Sequence, residues 1–255
     1  MTSLPQQERS YGLDQVIAEL QERLDRYEQT NVALAQQVEH LQTRLLAPNR
    51  FRWDVIDKVT DYFRGAQIKG DYLEFGVYQG ETFAYACNVI GRENPEMRFV
   101  ALDSFEGLPQ PKKGIDESGG YSGGFFEGQF SCNETQFKEN LKLRNVDLAR
   151  VTTIKGWYDQ TLQPGHVQSS PIQTVAFAWI DCDLYESTVP VLDYLTSRLT
   201  VGSVMLFDDW RCFRNLSDFG QQRACREWLA RNPQIKLNLL IDNDYHGYVF
   251  SVAAC

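Results

Sequence analysis

The stretch Gly70-Asp-Tyr-Leu-Glu-Phe-Gly-Val-Tyr-Gln-Gly80 joins a short apolar run to a glycine turn. The run has the length and the aromatic and aliphatic character of a buried strand. The turn leads directly into a segment of helical length that begins near Glu81. A strand that enters a helix through a glycine turn is typical of α/β folds that bind a ligand at this point. The stretch therefore predicts the first strand, turn and helix of such a fold.

The same alternation continues to the end of the chain. After a helix predicted over Trp53–Phe63, short apolar runs alternate with segments of helical length, which is the pattern of a parallel sheet covered on both faces. The last two runs flank Asp244-Tyr-His-Gly247 and predict a terminal hairpin. Strands are predicted at 70–75, 98–103, 151–155, 175–181, 201–208, 236–242 and 247–252. We therefore expect a Rossmann-like α/β domain with a seven-stranded, mostly parallel sheet and a C-terminal antiparallel hairpin.

The first fifty residues carry a heptad pattern, in which seam residues recur at alternating steps of four and three. The seam positions are Leu13, Ile17, Leu20, Leu24, Tyr27, Asn31, Leu34, Val38, Leu41 and Leu45. A single core asparagine, here Asn31, is typical of a parallel two-stranded coiled coil, because one register alone satisfies its amide. Residues 1–48 are therefore predicted to form a dimerisation helix ended by Pro48, in a homodimer or higher homo-oligomer, and residues 49–255 the α/β domain. The alternative is an amphipathic helix lying on its own domain.

Composition limits the expected partners and location. The formal net charge of −9 at pH 7 argues against a nucleic-acid ligand, because such binding depends on clustered lysine and arginine. The first ten residues lack the apolar core of a signal peptide, and no segment approaches the ~20 apolar residues of a membrane span. The six cysteines are scattered without a C-x-x-C pair, so neither a zinc site nor a disulfide framework is predicted. The sequence predicts a cytoplasmic protein with no membrane span.

Four of the first five predicted strands have carboxylates at or next to their carboxyl ends. These residues are Glu74, Asp103, Asp181, Asp183, Asp208 and Asp209. The carboxyl ends of parallel strands meet at one edge of the sheet, where ligands bind. Clustered carboxylates repel one another unless a cation or a donor-rich ligand lies among them. We therefore expect such a ligand here, although a helix cap or a surface charge is an equally good interpretation of any one of these residues.

The glycine turn indicates what kind of ligand lies beside it. Gly76 and Gly80 would let a ligand approach the backbone closely, but the spacing G-x-x-x-G differs from the pyrophosphate fingerprint. Glu74 would oppose a phosphate and favour an ammonium or sulfonium group. Asp103 stands where a carboxylate accepts hydrogen bonds from ribose hydroxyls. A nucleoside with a positive charge and no phosphate fits both observations, which favours S-adenosylmethionine.

Five stretches carry a family resemblance that covers residues 51–255. They are Leu73-Glu-Phe-Gly-Val-Tyr-Gln-Gly80, Leu102-Asp-Ser-Phe-Glu-Gly-Leu-Pro109, Lys155-Gly-Trp-Tyr-Asp-Gln-Thr-Leu162, Trp179-Ile-Asp-Cys-Asp-Leu-Tyr-Glu-Ser-Thr188 and Leu206-Phe-Asp-Asp-Trp210. In this order they resemble the macrocin O-methyltransferases and related methyltransferases of antibiotic sugars. More distantly, the arrangement is similar to catechol O-methyltransferase. The coiled coil lies outside the resemblance.

The resemblance implies a class I methyltransferase fold with S-adenosylmethionine as methyl donor. It implies Asp181, Asp208 and Asp209 as ligands of Mg²⁺ or Mn²⁺, and Asp183 is the candidate general base. The residues expected on the cofactor are Glu74, Gly76, Tyr78, Gly80, Asp103, Ser104, Gly156, Trp157 and Asp181. The expected acceptor is a sugar or glycosylated compound with vicinal hydroxyls, and a catechol or other phenolic diol is the alternative.

Three roles stay open at the level of sequence. The glycine-rich run 119–124, within residues 111–131, is either a lid that closes over the acceptor or an ordinary surface loop. Trp157 is either an adenine contact or a core residue. The coiled coil either dimerises an enzyme or makes the chain a scaffold in a glycan-assembly complex, and these two roles are compatible.

Overall fold

The computed structural model describes residues 6–46, 49–117, 119–163 and 172–255, and in the first helix it describes side chains only at 15–35, 37 and 38. The chain divides into two compact units, residues 1–50 and 51–255, and each is described by itself. Within the described ranges, no helix is both long enough and apolar enough to cross a bilayer.

The first unit is a single helix, α1, from Gln6 to Leu46, which covers the heptad stretch. Its described apolar seam residues are all exposed, from 45% for Ile17 to 63% for Tyr27. The side chains of Leu13, Leu41 and Leu45 lie outside the described residues. A helix with an exposed apolar stripe has the form that a coiled coil requires, and pairing with a second helix stays a prediction.

The second unit is built on a seven-stranded sheet with the order β3-β2-β1-β4-β5-β7-β6. The strands are β1 Asp71–Phe75, β2 Phe99–Asp103, β3 Val151–Lys155, β4 Val175–Ile180, β5 Leu199–Phe207, β6 Lys236–Asp242 and β7 Tyr248–Ala254. The first five strands are parallel, and β7 runs antiparallel to both β5 and β6. The expected mostly parallel sheet with a C-terminal hairpin is confirmed. Strand order reverses between β1 and β4, and ligands bind beside such a reversal.

Helices cover both faces of this sheet. They are α2 Arg50–Ala66, α3 Glu81–Glu93, α4 Glu134–Leu143, α5 Tyr158–Thr161, α6 Tyr185–Leu195 and α7 Gly220–Arg231. On one face, Phe63 of α2 and Phe83 of α3 pack with Tyr72 of β1. On the other face, Trp228 of α7 packs in a second buried cluster with Phe207 of β5. β1 and β4 are buried along their whole length, and the sequence of β4 is accordingly a continuous apolar run rather than an alternating one.

Five of the seven strands differ from their predicted bounds by one or two residues, and the differences at β4 and β5 bear on the site. Both strands stop one residue before the aspartates that were predicted to end them. At its other end, β5 begins at Leu199, which pairs with Val175 across a register shift. Ser203 holds this irregular start, since its hydroxyl accepts from Thr200 N at 2.9 Å and donates to Val175 O at 2.6 Å. Because β4 ends at Ile180 and β5 at Phe207, the aspartates lie on the loops that follow these strands.

Candidate functional site

Three carboxylates meet at the carboxyl ends of β4 and β5. The two strands are parallel neighbours, and Ile180 pairs with Phe207, so the residues that follow them lie side by side. One oxygen each from Asp181, Asp208 and Asp209 lie within 4.8 Å of one another. Hydrogen bonds from Asp181 N to Phe75 O and from Asp208 N to Ile180 O, of 2.9 and 3.0 Å, extend the sheet pairing to the aspartates. The structure thus brings together the three residues expected to bind a metal.

Gln221 of α7 holds Asp209 in place, and sequence reasoning missed it. Its side-chain oxygen accepts from Asp209 N at 3.0 Å, while its Nε2 donates to Ile180 O at 3.0 Å and lies 3.3 Å from Asp209 Oδ2. The side chain is fully buried. A lone glutamine inside a helix carries no local signal, so it emerges only when α7 is folded against β4.

Asp183 has an unusual backbone for a non-glycine residue. Its φ of 61° lies in the left-handed region, so the backbone is not extended at this residue. Its N–H donates to Asp209 Oδ2 at 3.1 Å, and the side chain is 5% exposed. Strained backbone at a buried carboxylate is often found at functional sites. The structure places Asp183 beside the three clustered carboxylates.

The site is strongly acidic, and this changes its protonation. Burial and then repulsion from Asp208 raise the pKa of Asp181 well above its ordinary value. Burial and then the charges of Asp209 and Asp181 do the same for Asp183. For Asp209, burial followed by Asp208 raises the pKa to about 7. Added positive charge would lower the pKa values of these carboxyl groups and favour their ionised forms.

Arg52 is the cation that contacts this cluster, and it was not identified from the sequence. It lies in the first turn of α2, and its Nε donates to Asp208 Oδ1 at 3.0 Å while its Nη2 donates to Asp208 Oδ2. The same Nη2 lies 4.0 Å from Asp181 Oδ2. Burial alone would lower the pKa of Arg52, but attraction to Asp208 and Asp181 raises it.

The glycine turn after β1 packs directly against Asp181. Gly76 has a φ of +90°, and a Cβ on it would lie 1.8 Å from Asp181 O. Glycine is therefore required at this position by the neighbouring backbone. Gly80, at φ +76°, has a different reason, because its Cβ would meet the ring of Phe137 at 2.8 Å. Close packing of α4 thus accounts for Gly80, where the sequence interpretation invoked approach of a ligand.

Asp103 and Ser104 follow β2 beside the same turn. Asp103 accepts from Val77 N at 2.8 Å and from Phe105 N at 2.6 Å. Ser104 is buried and bridges its own turn, donating to Gly107 O at 3.1 Å and accepting from Glu106 N at 3.1 Å. Asp103 thus ties the turn after β1 to the end of β2 and stays partly exposed, whereas Ser104 serves the local turn.

Glu74, on the strand before the turn, is buried, whereas Tyr78, within the turn, is exposed. Glu74 is 1% exposed, and the hydroxyl of Tyr72 donates to its carboxylate. Burial raises the pKa of Glu74 to about 8, in spite of this hydrogen bond. Tyr78 has a φ of 41° and is 43% exposed, with its ring 5.7 Å from that of Phe130. The structure therefore places Tyr78 on the open side of the turn and Glu74 in the core.

Gly156 and Trp157 follow β3. Gly156 N donates to Asp103 O at 2.9 Å, which continues the pairing of β3 with β2 beyond the strands. Trp157 stands at the N-terminus of α5 and is partly exposed, outside both buried clusters. Of the two interpretations of Trp157, the core residue is therefore disfavoured.

The glycine-rich loop is attached to the site at several points. Asp116 is 1% exposed and accepts from Tyr185 N at 2.7 Å, at the first residue of α6 and two residues after Asp183. Tyr121 donates to Cys212 O at 3.2 Å, and Phe125 packs against Phe213 at 5.9 Å between ring centroids. The described part of residues 111–131 thus joins the loops after β4 and β5, which carry the aspartates.

The profile of one protein family, described as Macrocin-O-methyltransferase (TylF), matches residues 19–232. The chain belongs to the macrocin O-methyltransferase family. The match begins inside α1, so the family likeness reaches further towards the N-terminus than the resemblance over 51–255 had indicated.

Two curated relatives of the chain come from Streptomyces. The chain is similar to the demethyldecarbamoylnovobiocin O-methyltransferase of Streptomyces niveus, with 30% identity over 57% of this chain and 55% of the relative. It is similar to the 8-demethyl-8-(2,3-dimethoxy-alpha-L-rhamnosyl)-tetracenomycin-C 4'-O-methyltransferase of Streptomyces olivaceus, with 29% identity over 56% of this chain and 54% of the relative. The chain thus spans about half the length of the curated relatives it matches.

Solved structures support the fold. The O-methyltransferase NovP superposes with a TM-score of 0.64 and 23% identity, over 80% of each chain. A calicheamicin methyltransferase superposes with a TM-score of 0.63 and 21% identity, over 83% of this chain and 89% of that one. The Rossmann-like class I methyltransferase fold that the sequence predicted for this macrocin O-methyltransferase family member is confirmed.

Proposed function

We propose that the protein is a Mg²⁺-dependent, S-adenosylmethionine-using O-methyltransferase that methylates one of two vicinal hydroxyls on a sugar or glycosylated acceptor. The observation that carries the proposal is the meeting of three carboxylates at the ends of β4 and β5, next to the glycine turn after β1. Family membership supports the methyltransferase chemistry. The proposed acceptor class rests on the relatives, one of which is named for 4'-O-methylation of a rhamnosyl tetracenomycin.

The donor set suits a hard divalent cation. Carboxylate oxygens favour Mg²⁺ or Mn²⁺, and Asp181, Asp208 and Asp209 each offer one. Burial and mutual repulsion raise the pKa values of Asp181 and Asp209, so added positive charge would stabilise their ionised forms. When bound there, such a cation lowers the pKa of a hydroxyl that it ligates. Mn²⁺ shares this chemistry and is the alternative metal.

The chain's own residues would supply the proton transfer and the orientation. Asp183 is buried beside the cluster, and the left-handed backbone and the bond from its N–H to Asp209 fix its position. Its raised pKa makes its carboxylate a stronger base, suited to accept the proton of the attacking hydroxyl. Gly76 and Asp103 would orient the methyl donor at the turn after β1. Holding both reactants at one sheet edge supplies much of the rate.

The test of activity uses the full chain with S-adenosylmethionine, Mg²⁺ and three sets of acceptors: nucleotide sugars, glycosides and catechols. We expect the mass of a nucleotide sugar or glycoside to rise by one methyl group, and the gain to disappear in excess EDTA. Methylation of catechols alone would favour the phenolic alternative. Undiminished turnover in EDTA would rule out the metal.

Replacement of Asp208 tests the metal site without turnover. In Asp208→Asn, the affinity for Mg²⁺ measured by calorimetry should fall at least about tenfold, because a ligand that carries a full charge is lost. Binding of S-adenosylmethionine should change little, since Asp208 follows β5 and the turn follows β1. Asp193→Asn is the matched control, because Asp193 is exposed on α6 and pairs with Arg231. Equal Mg²⁺ affinity in the two variants would contradict the proposed ligand set.

We also propose that α1 pairs with α1 of a second copy. The support is the heptad seam of exposed apolar residues with Asn31 at one core position. Dimerisation and a scaffolding role are compatible, because neither uses the acidic residues of the second unit.

A further inference from the structure

Arg52 and Asp208 form a pair that no motif of the sequence connects. The two residues are 156 positions apart, and the guanidinium takes both oxygens of the carboxylate in a fork. Asp208 is 5% exposed, and the Arg52 side chain is 31% exposed. A forked pair of this kind is the strongest geometry available to an arginine and a carboxylate. The contact therefore fixes the first turn of α2 onto the loop after β5.

The guanidinium lies where the carboxylates converge. Its Nη2 donates to Asp208 and also lies 4.0 Å from Asp181 Oδ2, so it contacts two of the three clustered carboxylates. Whichever oxygen Asp208 would offer to a cation already accepts a hydrogen bond from Arg52. A divalent cation between these oxygens would therefore stand at short distance from a fixed positive charge.

We propose that Arg52 is an internal competitor of the divalent cation for Asp208, so that metal binding requires the guanidinium to leave this carboxylate. The inference rests on the proposed metal site and adds a residue of α2 to it. Without metal, the single charge of Arg52 offsets part of the charge of the four aspartates and holds Asp208 in place. With metal, the same oxygens serve the ion, and the two positive charges repel each other.

A calorimetric titration of Mg²⁺ into the full chain tests this competition. Arg52→Gln removes the charge and keeps a polar side chain of similar reach. We expect it to bind Mg²⁺ at least about tenfold more tightly than the wild type, because no ion pair with Asp208 has to break before this carboxylate can take the ion. The rise in Tm on addition of Mg²⁺ should be larger in Arg52→Gln for the same reason.

Two further variants serve as a control and as a second test of the competition. Arg98→Gln is the matched control, because Arg98 donates to Asp71 in the same forked manner, at 2.9 Å from Nε, at the opposite end of β1. It should lose a comparable ion pair and leave the Mg²⁺ affinity unchanged. Arg52→Lys keeps the charge without the fork and should bind Mg²⁺ with intermediate affinity. It also carries the test if Arg52→Gln does not fold.

Each outcome decides between the possibilities. Unchanged or weaker Mg²⁺ binding in Arg52→Gln would overturn the competition, and weaker binding would mean that Arg52 supports the ion. If the wild type and Arg52→Gln bind equally while Asp208→Asn does not bind, the inference fails and the metal site stands. If none of the variants binds Mg²⁺ or Mn²⁺, the metal site fails together with the inference.

Discussion

At the scale of single residues, the burial of the Glu74 carboxyl group makes the free energy of unfolding depend on pH. Its pKa is raised from 4.5 to about 8, chiefly because burial disfavours the charged form. Below pH 4.5 the folded and unfolded chains both carry the proton. Between pH 4.5 and about 8, the unfolded chain has released the proton and the folded chain keeps it, so the free energy of unfolding falls as pH rises.

Replacement of Glu74 should flatten this dependence. For Glu74→Gln, we expect the free energy of unfolding to fall less steeply than in the wild type, by up to ~1.4 kcal/mol per pH unit. The measurement is urea denaturation at several pH values with EDTA present, so that no metal contributes. Glu127→Gln is the control, because Glu127 is exposed and should follow the wild type. Parallel curves for the wild type and Glu74→Gln would mean that Glu74 is ionised in the fold.

At the scale of elements, the loop over 111–131 is held to α6 through Asp116. One oxygen, Oδ1, accepts from Tyr185 N at 2.7 Å, and the other, Oδ2, is buried with no hydrogen-bond partner among the described residues. A capping bond of this kind contributes about 1 kcal/mol. Because only Leu184 separates Asp183 from α6, the position of the loop and that of the candidate base are linked.

Loss of this cap tests whether the loop serves the acceptor. In Asp116→Ala, we expect the KM for the acceptor to rise several-fold and protease cleavage within 111–131 to become faster, while affinity for S-adenosylmethionine stays near that of the wild type. Asp116→Asn keeps the accepting oxygen and should resemble the wild type in both respects. A faster cleavage without any change in KM would identify an ordinary surface loop.

The elements were largely predictable from sequence, whereas several contacts of the site were not. Apolar residues and strand-end carboxylates marked β1, β2, β4 and β5, because strands inside a parallel sheet are buried on both faces and end at one edge. Arg52 and Gln221 carried no local signal, since each meets the aspartates only after distant segments pack. The left-handed backbone of Asp183 was equally hidden, because its N–H meets Asp209 only after the loops that follow β4 and β5 come together.

At the scale of the whole molecule, the exposed stripe of α1 determines the expected assembly. Leu24 occupies an a position of the seam and is 58% exposed, and Val32 occupies a b position outside the seam and is 57% exposed. A single chain exposes both to the same extent, whereas a coiled coil would bury only the first. Substitutions at these two positions therefore distinguish pairing through the heptad seam from nonspecific association of an apolar helix.

Charge substitutions at these two positions test dimerisation in the full chain. Leu24→Glu should convert the dimer to a monomer in sedimentation experiments, because a charge would be placed in the apolar seam. Val32→Glu should leave the dimer intact. Methylation of a small acceptor should persist in both, since the proposed site lies within residues 51–255. Equal masses for the wild type and Leu24→Glu would refute pairing through this seam.

The contact between Gly76 and the carbonyl of Asp181 also bears on how the family can diversify. A side chain at Gly76 would collide with that carbonyl, so the separation between the proposed donor and metal positions is set by main chain. Substitution of the surrounding side chains cannot easily alter this separation. Libraries that seek new acceptors should therefore keep 73–80 and 179–183 constant and vary 111–131, since acceptor choice can evolve there while the reaction geometry is inherited unchanged.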